Sequence, residues 1–262
     1  MRKSVIIDYL PESVSRYRQG WAIVVVDVIR ATTTAITAAA AGWRCFPAPN
    51  TDAAVALARD FNNPLLAGES SGEMPDGFEM DNSPAQLISR TDRHRPLVLV
   101  SSSGTKAIHA AADCEPVYLG CFRSYSVLAS YLAERHPRVA LIGAGSRGQF
   151  REEDQMCCAW IAAALMTSGY LPENMQTAKV VRRWGDAPPQ ACLCSRSVDF
   201  LMRTGRMRDL DFILTHIDDL RAAFAVCNGE VKTMQEKQGF PDHPGVPAPA
   251  TCRQQPILPN LA

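Results

Sequence analysis

Short apolar runs alternate with helical patterns along the first 170 residues of the chain. The clearest run, Ala22 to Val26, is typical of a strand that is buried on both faces. An alanine-rich helix follows it, and the pattern predicts that this helix ends at Gly42. Because strands and helices alternate at least five times, we predict an α/β fold with a mostly parallel sheet and helices on both faces, in three α/β/α layers.

Further apolar runs predict strands at 4–8, 44–48, 65–68, 96–101, 117–120 and 139–142. Beyond residue 170 the pattern is less regular, and from residue 239 onward the chain has six prolines and little apolar periodicity. We therefore predict one domain over 1–238, either as a single unit or as two lobes with a break near 121–138. The stretch 239–262 is predicted to be a proline-rich, irregular C-terminal tail.

Polar side chains follow several of these strands. Asp27 and Arg30 come after the first buried run, Glu69 follows the strand at 65–68, and hydroxyl-rich or glycine-rich turns occupy 101–105 and 143–148. The simplest interpretation of the first pair is that Asp27 caps the next helix and Arg30 pairs with it. However, ligands of parallel α/β sheets bind beyond the carboxyl ends of the strands. We therefore expect all of these groups to gather at one edge of the sheet.

Two of the turns are suited to binding an oxyanion. Ser103, Gly104 and Thr105 stand between a strand and a helix and can present backbone N–H groups, although the GK[ST] ending of a Walker loop is absent. The segment GAGSRG, which contains Gly145 and Arg147, has G-x-G-x-x-G spacing. The first strand–helix unit lacks that pattern, and no acid closes a later strand at the distance that a ribose would need. We interpret GAGSRG as a second oxyanion-facing turn.

Acidic residues supply candidate metal ligands. Glu152, Glu153 and Asp154 open a predicted helix, where interaction with the helix dipole would explain them. Three successive acids after a glycine-rich turn also suit a hard cation that prefers oxygen ligands. Ser83 is a good N-cap before Pro84, but capping does not explain the length and acidity of the loop at 69–82 that ends in Asn82.

Composition narrows the classes of partner. The chain has 27 basic and 27 acidic residues, so its net charge predicts no nucleic-acid partner. It has no apolar run of 18 residues, and its N-terminal apolar stretch is too short for a signal peptide, so we expect neither membrane insertion nor export. Nine cysteines without CxxC pairs indicate reduced thiols in a cytoplasmic protein. Alanine-rich helices would suit a homo-oligomer interface.

Acids, hydroxyl-rich turns and arginines together favour phosphoryl transfer by a Mg²⁺-dependent hydrolase. Carboxylates would hold the ion, which neutralises phosphate charge and orients water. Backbone N–H groups and Arg30 would stabilise negative charge in the transition state. No DxD signature starts at Asp27, so a metal-ligand role is favoured over an aspartyl-phosphate nucleophile.

Four segments carry a family resemblance: VVVDVIRATTT, LLAGES with the later GFEMDNSP, SSSGT, and GAGSRGQFREED. In this order and spacing, over about residues 20–165, they resemble the 2-phosphosulfolactate phosphatase family. The resemblance implies an α/β fold, Mg²⁺ as the cofactor, and hydrolysis of 2-phospho-3-sulfolactate to 3-sulfolactate in coenzyme M biosynthesis. The chain departs from the family pattern at Ser103, at the extra acid Glu152, and at 74–76.

These arguments define a candidate site for a small anionic phosphorylated substrate. The catalytic candidates are Asp27, Arg30, Glu69 and Asp154. The substrate-binding candidates are Thr32, Thr33, Asn82, Ser83, Ser103, Gly104, Thr105, Gly145 and Arg147. The Mg²⁺ ligand candidates are Asp27, Glu69, Glu153 and Asp154. Two alternatives stay open: a non-catalytic anion-binding or regulatory protein on the same fold, and a phosphatase for another small phosphorylated acid.

Overall fold

A ten-stranded sheet forms the centre of the protein in this computed structural model, which describes residues 2–114, 116–146 and 148–234. The strands are β1 Ser4–Tyr9, β2 Ala22–Val26, β3 Cys45–Ala48, β4 Leu65–Gly68, β5 Leu97–Val100, β6 Val117–Gly120, β7 Arg138–Gly143, β8 Leu171–Pro172, β9 Ala223–Cys227 and β10 Glu230–Met234. Their order across the sheet is β4-β5-β3-β10-β9-β6-β2-β7-β1-β8.

The strands form two parallel groups, β4-β5-β3 and β6-β2-β7-β1-β8, so the predicted mostly parallel sheet is confirmed. The hairpin of β9 and β10 lies between the groups and pairs antiparallel with both. The two groups therefore run in opposite directions. The sequence analysis missed this hairpin, although Asn228 and Gly229, both with positive φ, are the residue pair that favours a two-residue hairpin turn.

Nine α-helices cover the sheet in the described part of the chain. They are α1 Ala31–Ala40, α2 Thr51–Ala58, α3 Pro84–Ile88, α4 Gly104–Ala110, α5 Tyr125–Ala133, α6 Glu152–Thr167, α7 Met175–Trp184, α8 Arg196–Arg203 and α9 Met207–Thr215. Gly42, with φ of 90°, follows α1 closely, and Ser83 caps α3 as expected. No helix among the described residues is long and apolar enough to cross a membrane.

Alternating side chains of β2 enter two separate cores. Val24 and Val26 pack with residues of α5, α6 and α7, whereas Ile23 and Val25 pack with residues of α1 and α4 on the other face. All four valine and isoleucine side chains are fully buried. This arrangement confirms helices on both faces of the sheet. The proposed division of 1–238 into one unit or two lobes stays a prediction, and the predicted tail at 239–262 lies outside the described residues.

Candidate functional site

A pocket of about 560 Å³ lies beyond the carboxyl ends of β2, β4, β5 and β7. Residues that follow the four strand ends, in loops or in the first turns of α4 and α6, line it together with residues of α8. They are Asp27, Ile29, Arg30, Glu69, Ser70, Ser71, Gly72, Asn82, Ser102, Ser103, Lys106, Gly145, Ser146, Gln149, Arg151, Asp154, Arg196, Ser197, Phe200, Leu201 and Arg203. Its size is in the usual range for small-molecule sites.

A parallel sheet alone does not explain why these strand ends meet at one pocket. β5 and β2 belong to oppositely directed groups and are separated by five strand-to-strand steps. At the usual right-handed twist, five steps rotate the strands by roughly 100° or more. We attribute the convergence to this twist, which turns the carboxyl ends of both groups toward the same pocket.

The turn after β5 touches the acid after β2 directly. A Cβ atom placed on Gly104 would lie 2.4 Å from Oδ2 of Asp27 and 2.6 Å from Cβ of Ala31. Any side chain at this position would therefore displace the Asp27 carboxylate or move α4. The glycine of the SSSGT segment is required for the close approach of the two turns.

Asp27 also organises the start of α1. Its Oδ1 accepts a hydrogen bond from the N–H of Ala31 at 3.2 Å, and its own N–H donates to the hydroxyl of Thr32 at 2.9 Å. Capping of α1 thus accounts for Oδ1 of Asp27 but not for Oδ2, which lies beside Gly104. The suggested pairing of Asp27 with Arg30 is not found, because Arg30 bonds to other acids.

Asp154, in the first turn of α6, connects two loops. Its Oδ1 accepts from the N–H of Val28 at 2.8 Å, and its Oδ2 accepts from the N–H of Gly145 at 3.3 Å. Gly145 has φ of 59°, and a Cβ atom there would lie 2.6 Å from the carbonyl oxygen of Gln149. Only glycine fits this turn, and the N–H of Gly145 helps to hold Asp154 in position.

Burial makes the charged forms of these two carboxylates costly. Burial raises the pKa of Asp27 to about 7; the charges of Glu69 and Glu153 add to this rise, and the Ala31 N–H opposes it. Burial also raises the pKa of Asp154 well above its usual range, and the charges of Asp27 and Glu153 raise it further. The acids therefore form a mutually repelling group that a cation would stabilise.

Glu153 lies deeper than its neighbour. Among the described residues, neither of its carboxylate oxygens has a hydrogen-bond partner, and it is 1% exposed. Burial raises its pKa, and the nearby hydroxyls of Ser197 and Ser195 oppose the rise. Glu153 is absent from the residues that line the pocket, so its charge acts on the pocket from behind Asp27 and Asp154.

Glu69 is already bonded to the two loops around it. Its Oε1 accepts from the N–H of Ser102 at 2.7 Å, and its Oε2 accepts from the Ser102 hydroxyl and from the N–H of Gly72, each at 2.7 Å. The carboxylate thus joins the loop after β4 to the turn after β5. It lines the pocket, but three donors already use its oxygens.

Arg30 is buried and paired with two acids. Its guanidinium donates to Asp81 at 3.1 and 3.2 Å and to Asp209 at 2.7 Å. Asp81 also accepts from Arg206, and Asp209 accepts from the hydroxyl of Ser83 at 2.5 Å. This buried network joins the loop after β2 to the loop before α3 and to α9. Arg30 reaches the pocket with its charge largely compensated.

Four predicted substrate contacts have hydroxyls that bond within the protein. Thr32 donates to the carbonyl of Gly120 at 2.7 Å, Thr33 to that of Val28 at 2.8 Å, and Ser83 to Asp209. Thr105 accepts from the N–H of Ser101 at 2.9 Å. None of the four is among the lining residues of the described pocket. As substrate ligands they stay predictions, and in the structure they hold the turns in place.

Two other candidates face the pocket. Ser103, at the N-cap of α4, and Asn82 both line it. The Oδ1 atom of Asn82 is buried and has no hydrogen-bond partner among the described residues. The Asn82 oxygen is therefore available to accept a hydrogen bond from a ligand. Arg147 lies outside the described residues.

Comparison with known proteins assigns the family. A profile of the 2-phosphosulpholactate phosphatases matches residues 8–222. The chain belongs to this family. It is 35% identical to a probable 2-phosphosulfolactate phosphatase of Pseudothermotoga lettingae over 60% of this chain and 66% of the relative, just under two thirds of that relative's length.

Other matches to proteins with the same description are longer. One of Deinococcus radiodurans is 30% identical over 79% of this chain and 86% of its own length, and one of Clostridium perfringens strain SM101 is 26% identical over 90% and 97%. Of the three departures from the family pattern, only Ser103 lines the pocket. Met74 is 47% exposed, and Glu152 is half-buried outside the lining.

The sequence analysis missed four cationic residues that line the pocket of this family member: Lys106, Arg151, Arg196 and Arg203. Lys106 follows the SSSGT turn directly, which was a usable signal, because the first turn of a helix after a strand faces the site. Arg196 and Arg203 lie on α8, far along the chain, and no spacing in the sequence connects them to the other loops.

The donor set fits Mg²⁺ in chemistry. The acids of the site offer only oxygen ligands, their buried charges repel one another, and the Glu153 oxygens lack partners among the described residues. The side chains are not preassembled, since no group of three or more histidine, cysteine, aspartate or glutamate residues in the described part is arranged to hold a metal ion. Asp27 and Asp154, which line the pocket, are the residues best placed to hold one.

Proposed function

We propose that this protein is a Mg²⁺-dependent phosphatase that hydrolyses 2-phospho-3-sulfolactate to 3-sulfolactate and phosphate. The relatives' descriptions support the substrate, and the pocket supports the reaction class. The observation that carries the proposal is the contact of the SSSGT turn with Asp27, beside Asp154, in a pocket that also presents cationic side chains with no carboxylate partner among the described residues. The homo-oligomer, the cytoplasmic location and the absence of a nucleic-acid partner stay predictions.

The residues divide the work of hydrolysis in a specific way. Asp27 and Asp154 would hold Mg²⁺, which neutralises phosphate charge and orients the attacking water when it is bound. The N–H of Gly104, the first of α4, has no partner within its own helix and would donate to a phosphate oxygen, whereas the N–H of Thr105 already donates to the hydroxyl of Ser101 at 2.9 Å. Hydrogen bonds from Val28 and Gly145 keep Asp154 in one orientation.

The proposed hydrolysis transfers the phosphoryl group from sulfolactate to water, as in other phosphomonoester hydrolyses. The water oxygen forms a bond to phosphorus on the side opposite the sulfolactate oxygen. The phosphorus–oxygen bond to sulfolactate breaks, and its electron pair stays on that oxygen. The attacking water gives up one proton and the leaving oxygen gains one, so the products are 3-sulfolactate and hydrogen phosphate. Lys106 and Arg151, which line the pocket, would offset the charge on the transferring group.

The test is release of phosphate from 2-phosphosulfolactate by the purified full-length protein. We expect turnover that stops when a chelator removes divalent cations and returns when Mg²⁺ is added in excess. Full activity after chelation would contradict the metal assignment. Binding of inorganic phosphate without turnover of this substrate or of other small phosphoesters would favour the non-catalytic anion-binding alternative.

A further inference from the structure

One face of α8 forms a wall of the pocket. Arg196, Phe200 and Arg203 have the spacing i, i+4, i+7, which places them on the same side of the helix, and all three line the pocket. The opposite side carries Val198, which is buried against Leu210 of α9. The helix is thus fixed by its apolar side and presents two guanidinium groups to the ligand space.

Contacts with the loop after β4 fix the position of this wall. A Cβ atom on Gly72 would lie 2.8 Å from the ring of Phe200, so the loop and the ring are in close contact. Arg206, which follows α8, donates to the carbonyl of Gly72 at 3.2 Å and to Asp81 at 2.5 Å. Because these contacts hold α8 against the loop, its arginines need little reorganisation to bind a ligand.

The two arginines differ in their partners from Arg30, which also lines the pocket. Arg30 is bonded to two carboxylates. Across the described ranges, no carboxylate lies within ion-pair distance of Arg196 or Arg203; Arg203 donates to the carbonyl of Asp199 in its own helix, and Arg196 donates to the side chain of Gln149. Two guanidinium groups that face a pocket without acid partners favour an anionic ligand.

We propose that Arg196 and Arg203 bind one of the two other anionic groups of the substrate, its sulfonate or its carboxylate, while the phosphate lies against Asp27, Asp154 and the α4 turn. This assignment rests on the proposed function, because it assumes a substrate that carries a sulfonate or a carboxylate in addition to its phosphate. The α8 wall then determines which phosphoesters are accepted, and the opposite wall carries out the hydrolysis.

The experiment compares three substrates: 2-phosphosulfolactate, 2-phospholactate, which keeps the carboxylate without the sulfonate, and isopropyl phosphate, which has neither. Wild type, Arg203→Gln, Arg196→Gln and the control Arg182→Gln are assayed on each. Arg182 is an exposed arginine of α7 that is outside the pocket lining. Arg203→Gln is the sharper variant, because Arg196 also bonds the loop that positions Asp154.

For Arg203→Gln we expect the ratio of kcat/KM on 2-phosphosulfolactate to kcat/KM on isopropyl phosphate to fall about 10- to 100-fold, mainly through KM. A similar fall for 2-phospholactate would assign the carboxylate to α8, and a fall confined to the sulfonated substrate would assign the sulfonate. An equal loss on all three substrates, or no loss on any, would overturn the proposal.

A binding measurement separates failure of this inference from failure of the proposed function. If wild type hydrolyses none of the three substrates, the proposed phosphatase activity is wrong. Binding of 3-sulfolactate, followed by calorimetry, then still tests the α8 wall. We expect Arg203→Gln to weaken that binding by about 10-fold or more and Arg182→Gln to leave it as in wild type. Equal binding by all variants would overturn the inference.

Discussion

The two walls of the pocket carry opposite charge and are built by different means. The acidic wall consists of Asp27 and Asp154, which are buried and held by backbone N–H groups of neighbouring turns. The basic wall consists of Arg196 and Arg203, which are exposed side chains on one helix face. A substitution on the acidic wall disturbs hydrogen bonds of several loops, whereas one at Arg203 of the basic wall, which bonds within its own helix, chiefly removes a charge. We therefore expect substitutions on the acidic wall to lower the rate of hydrolysis, and substitutions on the basic wall to change which substrates are accepted.

Arg30 tests whether the two walls depend on one buried network, and it gives the largest expected effect. Removal of the guanidinium in Arg30→Ala leaves Asp209 and Asp81 without their shared buried partner. We expect the free energy of unfolding to fall by about 3–5 kcal/mol, measured by chemical denaturation. Arg44→Ala is the control, because Arg44 is an exposed partner of Glu230 and should cost about 1 kcal/mol or less. Equal losses would show that the network does not stabilise the fold.

Asp27→Asn tests the acidic wall itself. The substitution keeps the shape of the side chain and removes its charge, so we expect a folded protein with a thermal midpoint close to that of wild type. Phosphate release should fall at least about 100-fold, which corresponds to a loss of about 2.7 kcal/mol of transition-state stabilisation. Turnover equal to that of wild type would exclude Asp27 from the chemistry.

Gly104→Ala tests the contact between the turn after β5 and Asp27. The new Cβ would lie 2.4 Å from Oδ2 of Asp27, so the carboxylate or α4 must move. We expect a loss of about 1–3 kcal/mol in unfolding free energy and a drop in kcat that exceeds the drop on the basic wall. The comparison is Arg203→Gln, which should act mainly on KM. Unchanged kcat in Gly104→Ala would show that the acidic wall tolerates displacement.

His136 gives the smallest expected effect, a change in how the stability of the protein depends on pH. It lies outside the pocket lining, so this effect is distinct from any effect on activity. Burial lowers the pKa of His136, and the charge of Arg135 lowers it further. The unfolded chain therefore binds a proton near pH 6.5 that the folded protein resists, so stability is full above about pH 6.5 and is lost as the pH falls below it. We expect His136→Gln to reduce this acid-side loss in thermal melts, and the exposed His94→Gln to retain it.

Much of the fold and one wall of the site were predictable from local patterns. β2 and α1 follow from an apolar run and a run of alanines, and Asp27, Glu69 and the SSSGT turn follow strand ends. The placement of α8 was not predictable, because its packing depends on α9 and on a loop more than a hundred residues away. The same holds for Arg30, whose partners Asp81 and Asp209 are 51 and 179 residues distant.

The hairpin of β9 and β10 has a consequence for the order of folding. It occupies the centre of the sheet but comes from the last described residues, so both parallel groups are synthesised before the strands that join them. Until residues 223–234 leave the ribosome, the edges of β3 and β6 lack their neighbours, and exposed edges promote pairing between chains. The nascent chain is therefore most vulnerable to aggregation just before this hairpin is inserted, and high contact order makes that step slow.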